Sequence, residues 1–313
     1  MKTIVPHYYN DFECIANKCK HNCCIGWEID IDDRTLEYYK SIKGNFGERL
    51  SKSIVTEDGV SCFKMDENLR CPFLNKNGLC DIMLNLGFDK VSEICDNHPR
   101  FRNFYSDRTE IGLGLSCEAV GKLILSTEEK TKFIVLEDDE ELLWEDEEEF
   151  LVFRDKIFSI LQNRNLPVEI RVNKMLEFTK VKLPDKSIDE WIEIFFSLEK
   201  LSDDRDVLLN ELKNADKDKL VLPFDEKFEI WFEQLLVYFT FRHLTEGLDD
   251  GRMKQRIAFV VLSYIMLRAI TAAQNNEKRK ITIEDMIEIC RIYSSEIEYC
   301  PDNVEKLLDI LSE

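Results

Sequence analysis

The sequence predicts a mainly α protein, an irregular cysteine-rich metal-binding domain followed by an α-helical domain. Three observations carry this. Nine of the 11 cysteines fall in residues 1–117, at positions 14, 19, 23, 24, 62, 71, 80, 95 and 117. Charge divides the chain at nearly the same place: residues 1–125 hold 16 basic and 19 acidic side chains, whereas 126–313 carry a net charge of −17 out of −20. Apolar residues then recur at helical spacing through the second half. The expected boundaries are 1–125 for the cysteine-rich domain, 126–150 for an acidic connector and 151–313 for the helical domain.

In the first part, Asp32 or Asp33 is placed to cap a helix running to about Ile42, with acidic residues near its positive end. Short apolar runs follow, broken by Gly59, Pro72, Gly78, Gly87 and Pro99. A second helix is expected from near Cys117 through EAVGKLILS. Pieces this short cannot bury a large core alone, which is the signature of a domain organised by metal.

The connector EDDEELLWEDEEEF spans 137–150. Beyond it, Phe150, Phe153, Ile157 and Leu161 form one helical stripe, and Ile230, Leu235, Tyr238, Phe239 and Phe241 another. Thr282-x-x-Asp285 and Asp302-x-x-Glu305 read as helix starts. About seven helices are expected after residue 140. The run IAFVVLSYIML (257–267) lies between Arg256 and Arg268 and is too short for a membrane span, so it reads as a buried helix.

The chemistry concentrates in the cysteines. FECIANKCKHNCCIGW sets Cys14, Cys19, Cys23 and Cys24 in one short stretch, and CPFLNKNGLC places Cys71 and Cys80 on either side of a Pro–Gly turn. CDNHPR adds Cys95 and His98, and LSC adds Cys117. Thiolates are soft ligands for zinc or iron–sulfur clusters, and spacings of two to four let local backbone wrap one centre. Eight thiols against the four that one centre needs leave two centres, or one centre with structural or catalytic thiols. Cys62, Cys290 and Cys300 stand alone and read as small buried hydrophobes.

Other features exclude or narrow. A charge of −20 argues against nucleic acid, and no stretch of membrane-span length is wholly apolar. MKTIVPHYYNDFEC lacks the pattern of a signal peptide, so a cytoplasmic, reducing setting is expected rather than a disulfide framework. His21 and His98 sit within cysteine blocks as candidate ligands, while His7 and His243 have no supporting motif. Tyr8, Tyr9, Trp27 and Tyr105 are candidates to line a site for a developing cation. Arg100 and Arg102 are candidates to contact a carboxylate or phosphate. No Ser–His–Asp signature or Walker loop is present.

The blocks FECIANKCKHNCCIGWEIDID, CPFLNKNGLCDI, ICDNHPRF and LGLSCEAVGKLIL, in this order, resemble the flagellin lysine-N-methylase family and its broader CxxCxxCC group. YSSEIEYCPDNVEKLL resembles the family's C-terminal helix pair, with Tyr299 where the family tends to have histidine. The resemblance implies transfer of methyl groups from S-adenosylmethionine to lysine side chains of flagellin or another lysine-bearing protein. It also implies a [4Fe-4S] cluster, with zinc as the alternative metal, on Cys14, Cys19, Cys23, Cys24, Cys71, Cys80, Cys95 and Cys117. Pro99 and Arg100 match its aromatic-Pro-Arg element, with His98 in the aromatic place. The usual glycine-rich cofactor loop is represented only by Gly112 and Gly114, and Gly26 stands where the radical S-adenosylmethionine spacing wants cysteine. The cofactor site is therefore expected to be unconventional. The competing class is a non-enzymatic cytoplasmic zinc- or iron-binding protein whose helical domain docks a partner.

Overall fold

The computed structural model describes residues 2–137, 142–222, 225–276 and 280–312. Residues 138–141 of the acidic connector lie outside them. The chain divides into two compact units, 13–100 and a larger one built from 1–12 together with 101–313.

The larger unit opens with β1 (Lys2–Pro6), before the chain builds the smaller unit. That smaller unit contains α1 (Asp33–Ser41), α2 (Gly44–Lys52), β2 (Ile54–Glu57), β3 (Val60–Phe63), α3 (Asp81–Leu86) and α4 (Glu93–Asn97). Asp32 caps α1 as expected, accepting from Thr35 N–H at 2.9 Å. Its other oxygen accepts from Glu93 N–H at 2.9 Å, so one carboxylate caps two helices. Burial opposes ionisation of Asp32, but these N–H donors outweigh it and hold the carboxyl below its ordinary value. Ile29, Tyr39, Leu50, Phe63, Phe73 and Ile82 form the small core.

After the smaller unit come β4 (Arg100–Phe104), β5 (Arg108–Leu113), α5 (Glu118–Leu125) and β6 (Phe133–Glu137). The strands make one sheet in the order β4-β5-β1-β6, with β1 parallel to β5 and antiparallel to β6. This pairing is why the unit boundary falls at 12/13 and 100/101 rather than at 125. The first strand needs β5 and β6 to satisfy its backbone, so the chain's first residues and 101–137 fold together. The sequence reading contained none of these strands.

Nine α-helices follow residue 140 among the described residues, against about seven expected. They are α6 (Glu145–Leu161), α7 (Val168–Thr179), α8 (Ile188–Phe196), α9 (Asp203–Asn214), α10 (Glu226–His243), α11 (Glu246–Asp250), α12 (Met253–Asn276), α13 (Ile283–Tyr293) and α14 (Pro301–Ile310). Thr282 and Asp285 form the capping box of α13, and Ser187 and Glu190 form an unforeseen one on α8. Asp302 does not cap α14, because Pro301 begins that helix and Cys300 stands at its cap.

Helices α10 and α12 are buried nearly all round and form the centre of the core. The α12 helix is long and apolar enough to cross a membrane by length and composition, but 78% of its apolar window is buried inside the protein. Buried ion pairs bind α6 and α7 to their neighbours. Arg154 meets Glu110 of β5 at 2.5 Å, and Arg171 and Arg164 meet Glu233 of α10 at 2.6 and 2.8 Å.

Candidate metal centre

Most of the expected thiols lie in unit 13–100, where two loops are stitched edge to edge. Cys71 N–H donates to Cys24 carbonyl at 2.8 Å, and Gly26 N–H donates to Leu69 carbonyl at 2.9 Å. Gly26, at φ +94°, takes a conformation that a side chain would strain, and it turns the chain immediately after the Cys23–Cys24 pair. Trp27 reaches back to donate its indole N–H to Cys23 carbonyl at 2.5 Å.

The loop between Cys71 and Cys80 closes as its Pro–Gly punctuation suggests. Gly78 N–H donates to Asn75 carbonyl at 3.0 Å, Asn75 N–H to Leu79 carbonyl at 2.9 Å, and Leu74 bridges to Cys80. Arg49, which sequence reasoning passed over, clamps this loop from α2. It donates to Pro72 carbonyl and to the Asp81 carboxylate, each at 2.6 Å, and lies over the Phe73 ring. Asn75 binds the other Asp81 oxygen at 2.9 Å. No local pattern marks Arg49, because its partners lie 23 and 32 residues away.

Five thiols bear on one another electrostatically. Cys24 responds to Cys23, Cys71 and Cys95, while Cys95 responds to Cys71, Cys23 and Cys80. A hydrogen bond from Cys24 pulls the Cys23 thiol down to about 7 against burial, and the same bond pushes Cys24 upward. Burial is the main reason that Cys71 is pushed up to about 11 and Cys95 to about 12. Phe73 and Leu74 backbone N–H groups oppose the shift at Cys71, and the Ser92 hydroxyl, 3.2 Å from the sulfur, opposes it at Cys95. Cys24, Cys71 and Cys95, whose ionisation neighbouring thiols make costlier, suit a bound cation that would favour the thiolates; Cys71 is buried, Cys24, Cys80 and Cys95 are half-buried, and Cys23 is exposed. The thiols of Cys23, Cys24, Cys71, Cys80 and Cys95 are soft donors of the kind that zinc and iron–sulfur clusters take, but among the described residues no three of these sulfurs come within 4.8 Å of one another.

The other expected ligands are placed differently. Cys14 is exposed, and Cys19 is half-buried with its thiol directed at His21 carbonyl, 3.1 Å away. Cys117 belongs to the larger unit, at the cap of α5. His98 stands beside Trp27, and burial together with Arg100 holds its imidazole down to about 4, leaving it neutral. His21 is exposed. Arg100 donates to Asp96 carbonyl at 3.0 Å, an ordinary local bond. Cys62, Cys290 and Cys300 are buried. Of the aromatic candidates, Tyr8 and Tyr105 are core residues of the larger unit rather than site lining, since packing covers both. Tyr9 also belongs to the larger unit, and Trp27 alone lies among the cysteines.

The larger unit holds a second polar concentration that sequence reasoning missed. After α13 the backbone widens into a π-helix, Ser294–Glu298, in which Tyr299 N–H reaches Ser294 carbonyl at 3.1 Å. Both Glu296 and Glu298 are buried there. Tyr238 lies 3.1 Å from both Glu298 oxygens and accepts from Arg242 at 2.9 Å and from Leu115 N–H at 3.2 Å. Arg242 lies between the rings of Phe101 and Tyr299, at 5.0 and 4.5 Å. The Leu115–Tyr238 bond alone joins residues 123 positions apart, beyond the reach of local sequence pattern.

Comparison with known proteins meets this half of the chain. Residues 175–313 match the FliB lysine N-methylase C-terminal domain family. The flagellar biosynthetic protein FliU of Salmonella muenchen is 25% identical over 132 residues, covering 39% of this chain and 75% of its own. The lysine-N-methylases of Salmonella choleraesuis and Salmonella typhimurium are also 25% identical over 132 residues, covering 39% of this chain but 32% of their own length. No solved structure matches. The cysteine blocks through residue 117 lie outside the residues matched by the family. Residues 175–313, less than half of the chain, thus resemble the lysine N-methylase C-terminal domain.

Proposed function

We propose that this chain is a protein-lysine N-methyltransferase of the cytoplasm, using S-adenosylmethionine and acting on flagellin or a comparable lysine-bearing protein. The observation that carries the reading is the match of residues 175–313 to the lysine N-methylase C-terminal domain, with flagellar and lysine-methylase relatives at its side. In the reaction, the neutral lysine Nζ attacks the cofactor's methyl carbon. A carbon–nitrogen bond forms as the carbon–sulfur bond breaks, S-adenosylhomocysteine leaves, and the amine gives up one proton.

Cys23, Cys24, Cys71, Cys80 and Cys95 would supply the thiolates for the metal or [4Fe-4S] cluster, and a metal ion left with one position not taken by cysteine would offer it to a small polar group. The chain's own part is to present these thiols. The Cys24–Cys71 backbone bond fixes the two loops, Arg49 fixes the turn to Cys80, and Ser92 orients Cys95.

The test is anaerobic purification followed by incubation with flagellin and S-adenosylmethionine, read by mass spectrometry. Lysines heavier by whole methyl groups support the reading. Unmodified flagellin with cluster-loaded protein removes it and leaves the metal-binding docking protein. Visible absorption of the purified protein distinguishes an iron–sulfur cluster from colourless zinc.

A further inference from the structure

The buried network of the larger unit has one member that reaches the surface. The side chains of Glu298 and Tyr238 are buried and that of Arg242 is 10% exposed, whereas Tyr299, directly after the π-helix, is 39% exposed. A π-helix gives up the regular helical ladder, and such widenings recur at functional sites. Here it turns Glu298 inward and leaves the next residue, Tyr299, open to solvent. Glu298, Tyr299, Tyr238, Arg242 and His243 all fall within 175–313, the part that matches the lysine N-methylase C-terminal domain.

Arg242 is held as a cation beneath that tyrosine. Its Nε stands 3.2 Å from Glu298 Oε1, its Nη1 donates to the Tyr238 hydroxyl at 2.9 Å, and its guanidinium carbon lies 4.5 Å from the centre of the Tyr299 ring. Burial opposes the charge, but Glu298, Tyr238 and Tyr299 outweigh it and hold the guanidinium well above its ordinary value. The Tyr299 hydroxyl and Arg242 Nη1 meet over Gly114, where a Cβ would stand too close to both. The missing side chain at Gly114 is therefore what lets the phenolic oxygen settle beside the cation. Glu298 is less suited to meet a substrate, since its side chain is fully buried and its oxygens are engaged by Arg242, His243 and Tyr238.

We propose that Tyr299 is the group that takes the proton from the substrate lysine, with Arg242 as the cation beside its oxygen and with Glu298 and His243 as the residues that position Arg242. This role rests on the methyl-transfer reading above. The phenol first releases its own proton to water, which its exposure allows. The lysine ammonium then passes one proton to the Tyr299 oxygen, and the neutral Nζ attacks the methyl carbon as the carbon–sulfur bond breaks. The phenol returns that proton to water before the next turnover, so each methyl transfer releases one proton. Arg242 acts twice in this sequence: it offsets negative charge on the phenolic oxygen, and its like charge disfavours the ammonium form of a lysine brought there.

The test compares the full wild-type chain with Tyr299→Phe, both purified without oxygen, in methyl transfer to flagellin. The variant keeps the ring over Arg242 and loses only the hydroxyl. Its kcat is expected to fall by about 10²- to 10⁴-fold, the usual worth of a placed acid or base, with KM for flagellin little changed. Tyr299→Ala serves as the second variant, because a tyrosine with a purely structural role would not be replaced by a base from solution. Added imidazole should restore part of its kcat in proportion to concentration and leave the wild type unchanged. Circular dichroism and urea unfolding check the fold of each. A folded Tyr299→Phe with wild-type kcat overturns the proposal and leaves methyl transfer standing. So does a loss confined to KM, or a folded Tyr299→Ala that imidazole does not revive. A wild type that modifies no flagellin lysine removes the methyl-transfer reading, and the role of Tyr299 falls with it.

Discussion

Glu298 lies fully buried with its Oε1 2.7 Å from His243 Nε2, two side chains 55 residues apart in sequence. Arg242 Nε stands 3.2 Å from the same oxygen and supplies the compensating charge. Coulomb attraction to Arg242 and the His243 hydrogen bond outweigh the burial penalty and hold the Glu298 carboxyl below its ordinary value. Removing the arginine leaves a carboxylate in the core with no cation. Arg242→Ala is therefore expected to cost about 3–5 kcal/mol, and Arg242→Lys less, because a lysine restores charge but not the planar stack on Phe101 and Tyr299. Urea unfolding of the full chain measures both. Near-wild-type stability in Arg242→Ala would show that Glu298 is protonated.

The same pair gives a pH dependence with a definite sign. Burial holds the His243 imidazole below its ordinary 6.5, against the raising pull of Glu298. Between that folded value and 6.5 the unfolded chain takes a proton that the native state declines, so stability rises with pH across the window. It is complete above 6.5 and lost as pH falls towards the folded value. Glu298, also depressed, adds a further loss below its ordinary 4.5. His243→Gln keeps a donor but does not titrate, and should make the upper window shallower, leaving the part that His98 contributes between 6.5 and about 4, while the lower window stays. Denaturant unfolding at a series of pH values checks this. An unchanged slope near pH 6 would assign the dependence to other groups.

Two glycines of one strand-to-loop segment should respond differently to the same added methyl. A Cβ at Gly112 would stand 2.1 Å from the Phe101 ring, which packs against Tyr238, Phe241 and Arg242, so that moving it disturbs three neighbours. Gly112→Ala is expected to cost about 1–3 kcal/mol by overpacking. A Cβ at Gly114 would meet the Tyr299 hydroxyl at 2.0 Å and Arg242 Nη1 at 2.9 Å, but the tyrosine is 39% exposed and can swing outward, and the end of the arginine side chain needs to give only slightly. Gly114→Ala should therefore cost less than Gly112→Ala while displacing Tyr299 from Arg242. Thermal unfolding ranks the two, and a change in tyrosine fluorescence accompanying Gly114→Ala reports the displacement.

What the sequence discloses is what local chemistry dictates. The Asp32 cap, the capping box at Thr282 and the apolar stripe of α6 each depend on residues within a turn or two and formed as read, whereas α10 is helical as read but buried nearly all round rather than along one stripe. The Cys71–Cys80 turn is local too, with Gly78 at φ +73° supplying its tight corner. The sheet was hidden because β1 finds its partners more than 100 residues away, at Arg108 and Phe133. Its short strands lack the alternating pattern that would have marked them. That pairing also moved Cys117 out of the cysteine unit. Buried charges such as Glu233 and Glu298 were invisible for a related reason: on a helix, a glutamate reads as solvent-facing until a distant arginine supplies its counter-charge.

Arg49 and Cys71 separate holding a metal from shaping its site. Cys71 is buried, and Phe73 and Leu74 direct backbone N–H groups at its sulfur, so Cys71→Ser should abolish stoichiometric metal loading by elemental analysis. Arg49 contributes no metal ligand. It ties α2 to the Pro72 carbonyl and the Asp81 carboxylate, and through them fixes the two ends of the turn that runs from Cys71 to Cys80. Arg49→Ala keeps every thiol, and metal should still bind, but about 10- to 100-fold more weakly, the usual penalty for losing a support behind the ligands. Competition against a chromophoric zinc chelator measures the affinity. Arg49→Lys should recover little, because an ammonium cannot hold the carbonyl and the carboxylate in one planar fork. If Arg49→Ala bound zinc as tightly as the wild type, the loop would be set by its own turn at Asn75–Gly78, and Arg49 would be a surface ion pair alone.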